Sequence, residues 1–233
     1  MTALIASLLL AVPSHAAWTQ LLARYDHKGE VDYRGLKAHQ AELDDYLRTL
    51  VTAKELDQLP REDRLAFWIN AYNAYTVRMV LDHYPLKSIR SIGLLPGAAF
   101  RESFIPIGGE ELSLNDIEGR LRAMKEPRIH FALVCASKSC PALRGEAYTG
   151  PQLDAQLDQA ARGFLADGRK NRLDQDGVAL SSIFKWYRGD FESAAGSLEA
   201  FVIRYAPQGI GEALKQPGTR IGFLDYDWSL NGD

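Results

Sequence analysis

The residues of this chain best suited to chemistry lie together in RIHFALVCASKSCPAL, residues 128–143. The stretch holds both cysteines, Cys135 and Cys140, and one of the five histidines, His130. Three chemistries suit such a set: a thiolate nucleophile with an imidazole base, a metal site, or a disulfide closing a short loop. The apolar run RIHFALVCA reads as a buried β-strand, with Ile129, Phe131, Leu133 and Cys135 on one face and His130 on the other. Five residues of strand advance about 16 Å, which keeps His130 from reaching Cys135 unless the chain bends sharply. The pattern H-x4-C-x4-C lacks the closely paired ligands of the usual zinc sites, so no metal and no cofactor is expected. A turn at Ser137-Lys138-Ser139 brings Cys140 back toward Cys135, and cysteines so placed can reach the ~4.4–6.8 Å Cα separation of a disulfide. Disulfide, reactive thiol and inert thiol all stay open.

A nucleophilic Cys135 needs a base, and no histidine follows it in the chain. The Cys-before-His order of papain-like and transglutaminase-like enzymes therefore does not apply. The remaining bases are His130, across a bend, and His83. His27 and His39 fall in segments that read as exposed. Glu118 is the carboxylate placed to orient such an imidazole, with Asp225 and Asp227 as alternatives.

These side chains need a scaffold. The most apolar segment spans roughly Arg61 to His83, where hydrophobic residues cover nearly the whole circumference of a helix. Such a helix must be surrounded by other elements, which makes it the structural centre. Asn70 and Asn73 interrupt it at i, i+3 and share a face. Buried amides require hydrogen-bond partners, so the two either tie the helix to neighbouring backbone or line a cleft beside it. Before this helix, Leu36, Leu43, Tyr46, Leu47 and Leu50 keep helical spacing. After it come a hairpin at Gly108-Gly109 and a capping pattern at Ser113 and Asp116. Further on, the sequence gives an amphipathic helix in TGPQLDAQLDQAARGFLAD and a hairpin at Asp176-Gly177. Two short helices follow, and the strand TRIGFLDYDW closes the domain. The architecture expected is a single α+β domain over residues 17–233, with a central buried helix and a small, mostly antiparallel sheet.

Composition narrows the partners. Twenty-seven basic and 30 acidic side chains give a net charge of -3, with no basic run to attract a phosphate backbone, so nucleic acid is not expected. Residues 1–16, MTALIASLLLAVPSHA, carry no charge and end in small residues at -3 and -1 of a cleavage site after Ala16. They read as a secretory signal, too short to span a bilayer, which implies a periplasmic or secreted protein with no membrane span in its mature chain. The sequence sets no oligomeric state.

The motifs AFWINAYNAYTVRMVLDHYPLKSI, LSLNDIEGRL, RIHFALVCASKSCPAL, YTGPQLDAQLDQAARGFL and DYDWSLN together resemble the domain of unknown function 547 family, from about residue 20 to 231. The resemblance implies that Asn70, Tyr72 and Asn73, Glu118, and the His130-to-Pro141 stretch with Ser139 gather around one cleft. It also implies a cysteine-protease or transglutaminase-like fold with Cys135 as nucleophile. Where the family pattern has a histidine after this glutamate, the chain has Gly119. The expected activity is a cysteine hydrolase or acyl-transferase acting on a small peptide or amide. In it Cys135 attacks, His130 or His83 takes the proton, Glu118 orients the imidazole, and Asn70 or Asn73 polarises the carbonyl. The alternative is a non-catalytic peptide- or partner-binding domain with a structural Cys135–Cys140 disulfide.

Overall fold

A computed structural model describes residues 13–95, 97–175 and 177–233. Most of the expected leader, residues 1–12, and Asp176 of the expected turn lie outside the described residues. The described chain opens with α1 (Ala16–Tyr25), preceded by His15, whose imidazole is buried and meets the Tyr46 hydroxyl through Nδ1 at 2.7 Å. A two-residue hairpin, β1 (Asp26–His27) and β2 (Glu30–Val31), leads to α2 (Tyr33–Ala38) and α3 (Gln40–Val51). The helix expected over this stretch is thus broken at His39, yet Leu36, Leu43, Tyr46, Leu47 and Leu50 all turn inward as their spacing predicts.

The central helix is α4 (Arg61–Asp82), and sixteen of its residues, between Leu65 and Leu81, are buried. Its amides settle the choice posed by the sequence. Asn70 donates to the Tyr148 carbonyl at 2.8 Å and accepts from the Tyr148 N–H at 2.9 Å. Asn73 donates to the Ala132 carbonyl at 2.9 Å and accepts from the Val134 N–H at 2.9 Å. Each side chain replaces a strand partner for otherwise unpaired backbone, which removes the cost of burying those groups. Both amides hold backbone through their oxygen and one of their N–H groups.

After α4 come α5 (Ala98–Arg101) and the expected hairpin of β3 (Ile105–Ile107) and β4 (Glu110–Leu112). Ser113 then opens α6 (Leu114–Ala123) with a complete capping box: Asp116 N–H donates to Ser113 Oγ at 3.2 Å, and Ser113 N–H returns to the Asp116 carboxylate at 2.8 Å.

The strand expected at RIHFALVCA does not form. Pro127–Phe131 is a 3-10 turn, opened by Pro127 and capped by the Glu126 carboxylate on the Arg128 N–H. The following residues run as irregular chain held by Asn73. Among the described residues no strand pairs with this run, so side-chain hydrogen bonds decide its path over β-propensity. The strand-based separation of His130 from Cys135 falls with it.

The remainder is α7 (Leu153–Ala166), β5 (Arg172–Asp174), β6 (Gly177–Ser181), α8 (Ser182–Trp186), α9 (Arg188–Ala195), α10 (Leu198–Tyr205), α11 (Gln208–Leu214) and β7 (Arg220–Leu224). β5 pairs antiparallel with β6, and β7 joins β6 in parallel after a crossover through four helices. The fold is α+β, with small sheets and a buried central helix, as expected.

The core has two parts. One surrounds α4; the other is aromatic, with Phe131, Phe164, Phe184, Phe191 and Phe201 packed between α7 and α10. The 3-10 turn bridges them, since Ile129 packs in the first and Phe131 in the second. Cys135 follows directly on this seam.

The Asn73 clamp predicts a sizeable penalty for its loss. Asn73→Leu leaves a buried carbonyl and a buried N–H without partners and should cost about 2–4 kcal/mol. Urea unfolding checks this: the midpoint should fall markedly, with the slope unchanged.

Candidate functional site

The site is built on the turn from Cys135 to Cys140. Ala136 takes a left-handed φ of 57°, uncommon for a residue with a Cβ, and reverses the chain immediately after Cys135. The Cys140 N–H then closes on the Ser137 carbonyl at 3.0 Å. The chain terminus holds the turn from outside: Lys138 N–H donates to the Ser229 carbonyl at 2.9 Å, and Asn231 N–H to the Ala136 carbonyl at 3.3 Å. Ser139 belongs to this anchor, its Oγ accepting from the Asp227 N–H at 2.8 Å. Lys170 Nζ holds the Cys140 carbonyl at 2.6 Å.

Both cysteines are free thiols, so the disulfide that the sequence left open is absent from this structure. Instead the Cys135 N–H donates to Cys140 Sγ at 2.7 Å. Cys135 Sγ lies 3.1 Å from Ser137 Oγ and 3.2 Å from the Tyr226 hydroxyl. Hydrogen bonds from the Cys140 thiol, Ser137 and Tyr226 outweigh burial and bring the Cys135 thiol down to about 7. Burial and the neighbouring sulfur push Cys140 the other way, well above the ordinary thiol range. One thiol is thus readily ionised, and the other is held protonated as its donor.

Cys135 opens into a cavity of about 350 Å³ whose wall includes Tyr72, Glu118, His130, Tyr187, Tyr226 and Trp228. A larger cavity of about 430 Å³ lies beside Arg128, but that guanidinium is already committed to Glu126, Asp154 and Asp158. The smaller cavity combines an ionisable thiol with aromatic walls and a few polar groups, the composition typical of a small-molecule site. At its mouth Trp186, Tyr226 and Trp228 cluster, with ring centroids 4.6–6.0 Å apart, and Trp186 is 48% exposed.

His130 lines the cavity but, among the described residues, makes no hydrogen bond to the Cys135 sulfur. Its Nε2 meets Asp190 Oδ2 at 2.8 Å, and its ring stacks on Tyr187 at 3.8 Å between centroids. Arg122 grips the same carboxylate, with Nε at 2.7 Å and Nη2 at 3.0 Å, and lowers its proton affinity. Burial lowers the imidazole to about 4 despite Asp190, with Arg122 adding to the decrease. Near neutral pH the pair is therefore a neutral imidazole donating Nε2–H to an ionised carboxylate, and Arg122 supplies the balancing charge. Nδ1 carries the lone pair and makes no hydrogen bond among the described residues.

The carboxylate orienting His130 is thus Asp190, not Glu118. Glu118 instead hydrogen-bonds the Tyr187 hydroxyl, and its carboxyl is raised chiefly by burial. Tyr72 lines the cavity as expected, its hydroxyl held protonated by burial, with Glu118 and both sulfurs adding to the effect. His83 lies elsewhere: it is exposed at the end of α4, with Nδ1 on the Met79 carbonyl at 3.0 Å, and contributes nothing to the cavity wall. Asp227 caps the Ser229 N–H at 2.8 Å rather than orienting an imidazole. Among the described residues, no three His, Cys, Asp or Glu side chains gather as metal ligands do.

Sequence reasoning missed Asp190, Tyr187 and Tyr226 as site members. WYRGDF and DYDW carried their residue types, but nothing in the spacing joined them to a cysteine so distant in the chain.

Residues 56–165 match the family described as "Protein of unknown function, DUF547". This segment belongs to the DUF547 family. It contains α4, Glu118, His130, Cys135, Ser137 and Cys140, whereas Tyr187, Asp190, Tyr226 and Trp228 come from the chain beyond it. The DUF547 segment therefore supplies the thiols and the imidazole, and later helices and the chain terminus supply their hydrogen-bond partners. Comparisons with curated proteins and with solved structures give no match, so the expected protease or transglutaminase likeness has no known structure to support it.

The two buried histidines make stability depend on pH. His15 and His130 are both lowered by burial to about 4, from 6.5 in an unfolded chain. Between those values the unfolded state binds more protons, so stability is full above about pH 6.5 and declines as pH falls toward 4. Thermal melts across that window should show the decline, and His15→Gln should remove a share of it.

Proposed function

We propose that the cavity is a cysteine-dependent acyl-transfer site, a hydrolase or acyl-transferase acting on a small peptide or amide, with Cys135 as nucleophile. The observation that carries this reading is the ring of donors around Cys135 Sγ, with Ser137 Oγ at 3.1 Å and Tyr226 at 3.2 Å beside the adjoining Cys140 thiol. A thiol brought to about 7 is half ionised near neutral pH without an imidazole partner. The thiolate adds to the substrate carbonyl and gives a tetrahedral intermediate. Glu118, shifted by burial toward its protonated form, donates to the departing amine and leaves a thioester. Neutral His130, oriented by Asp190, then takes a proton from water or an acceptor nucleophile through Nδ1 as the thioester is cleaved. The aromatic mouth favours an apolar or aromatic group next to the scissile bond.

A second reading, a binding domain without catalysis, is favoured by one fact: no histidine hydrogen-bonds the Cys135 sulfur among the described residues. The two part in an acylation experiment with 4-nitrophenyl acetate followed by intact-mass analysis. The acyl-transfer reading expects a single acetyl group on Cys135, released by hydroxylamine and absent from Cys135→Ser. Tyr226→Phe removes one donor from the sulfur, so it should raise the thiol toward its ordinary range and slow acylation at pH 7 about fivefold. A protein that takes no acetyl group on Cys135 supports the binding domain instead.

A further inference from the structure

The acyl-transfer reading uses Cys135 and leaves Cys140 only as a donor, although Cys140 is the better placed of the two for a different reaction. The left-handed Ala136 folds the turn so that the Cys135 N–H holds Cys140 Sγ at 2.7 Å, and both cysteines line the same cavity. The Cys140 thiol also faces the Leu133 carbonyl at 3.7 Å, so its sulfur is fixed from two sides. Cys140 is 3% exposed, whereas Cys135 is only partly buried, so a small oxidant entering the cavity meets Cys135 first. The hydroxyls of Ser137 and Tyr226 at Cys135 Sγ favour its thiolate, the form that oxidants attack.

We propose that Cys135 and Cys140 form a hydroperoxide-reactive pair in which Cys135 is oxidised and Cys140 resolves it. In the first step the Cys135 thiolate attacks the terminal oxygen of a hydroperoxide, ROOH. The O–O bond breaks, the sulfur becomes a sulfenic acid, and the departing alkoxide takes from solvent the proton that Cys135 released on ionising, leaving as ROH. In the second step Cys140 sulfur attacks the sulfenic sulfur, the S–O bond breaks, and the hydroxyl leaves as water with the Cys140 proton. The product is a Cys135–Cys140 disulfide, which a dithiol returns to two thiols by exchange, itself becoming the disulfide. The inference shares the Cys135 thiolate with the acyl-transfer reading but needs no acyl substrate. Where both hold, oxidation removes the nucleophile and switches acyl transfer off reversibly.

The experiment adds one equivalent of hydrogen peroxide to the reduced full chain with dimedone, a trap for sulfenic acids, present. Wild type should lose two hydrogens by intact mass, map to a Cys135–Cys140 linked peptide, carry little dimedone, and be restored by dithiothreitol. Cys140→Ser should carry dimedone on Cys135, and Cys135→Ser should carry none. Cys140→Ala provides a second resolving-site variant, and the melting temperatures of both confirm folding. Wild-type protein that accumulates dimedone adduct or sulfinic acid with no linked peptide overturns the proposal, and this wild-type result decides whether or not the variants fold. The two readings fail separately. Acetylation of Cys135 without a disulfide rejects the peroxide pair alone, and a disulfide without acetylation rejects the acyl-transfer reading alone.

Discussion

A single side-chain amide governs where the chemistry can occur. Asn73, buried in the middle of α4, takes the Ala132 carbonyl and the Val134 N–H at once and so sets the chain that delivers Cys135. Three residues earlier Asn70 makes the same double contact with Tyr148, on the far side of the cysteine turn. The two amides act as a short strand edge built from side chains. They let a nearly all-round apolar helix carry irregular backbone on its surface without orphaned polar groups. The turn between these anchors is then fixed by Ala136, Ser137 and the chain terminus.

The electrostatics follow from that placement. A buried thiol ordinarily resists ionisation, because burial disfavours the charged form. Here several donors converge on one sulfur and reverse the balance, while the adjacent Cys140 receives burial and repulsion together. The cavity's other groups are treated in opposite senses: burial lowers the His130 imidazole, held from behind by Asp190, whereas burial raises the Glu118 carboxyl. Groups of different proton affinity thus share one small space, which is the arrangement acid–base and nucleophilic chemistry requires.

The sequence made the local parts legible and left the long-range parts hidden. All-round hydrophobicity marked α4 and its near-correct ends, Ser113 and Asp116 marked the start of α6, and Gly108-Gly109 marked a hairpin. Each depends on residues within a few positions of one another. RIHFALVCA failed because its apolar run fits a strand as well as a buried turn, and Asn73, 59 residues before its Ala132 partner, decided the outcome. The His130–Asp190 and Cys135–Tyr226 pairs span 60 and 91 residues, so no spacing rule could join them. Asn70 and Asn73 were legible in part, since burying amides on one helix face requires partners, and the fold supplies them as neighbouring backbone.

The central claim is that hydrogen bonds, not an imidazole, ionise Cys135. The rate of iodoacetamide alkylation at Cys135 against pH, followed by peptide mass analysis, tests it most directly. The rate should rise with its midpoint at about 7 and show no inflection near 4 from His130. A thiol that alkylates only above about pH 9, the range of an ordinary or merely buried cysteine, contradicts it.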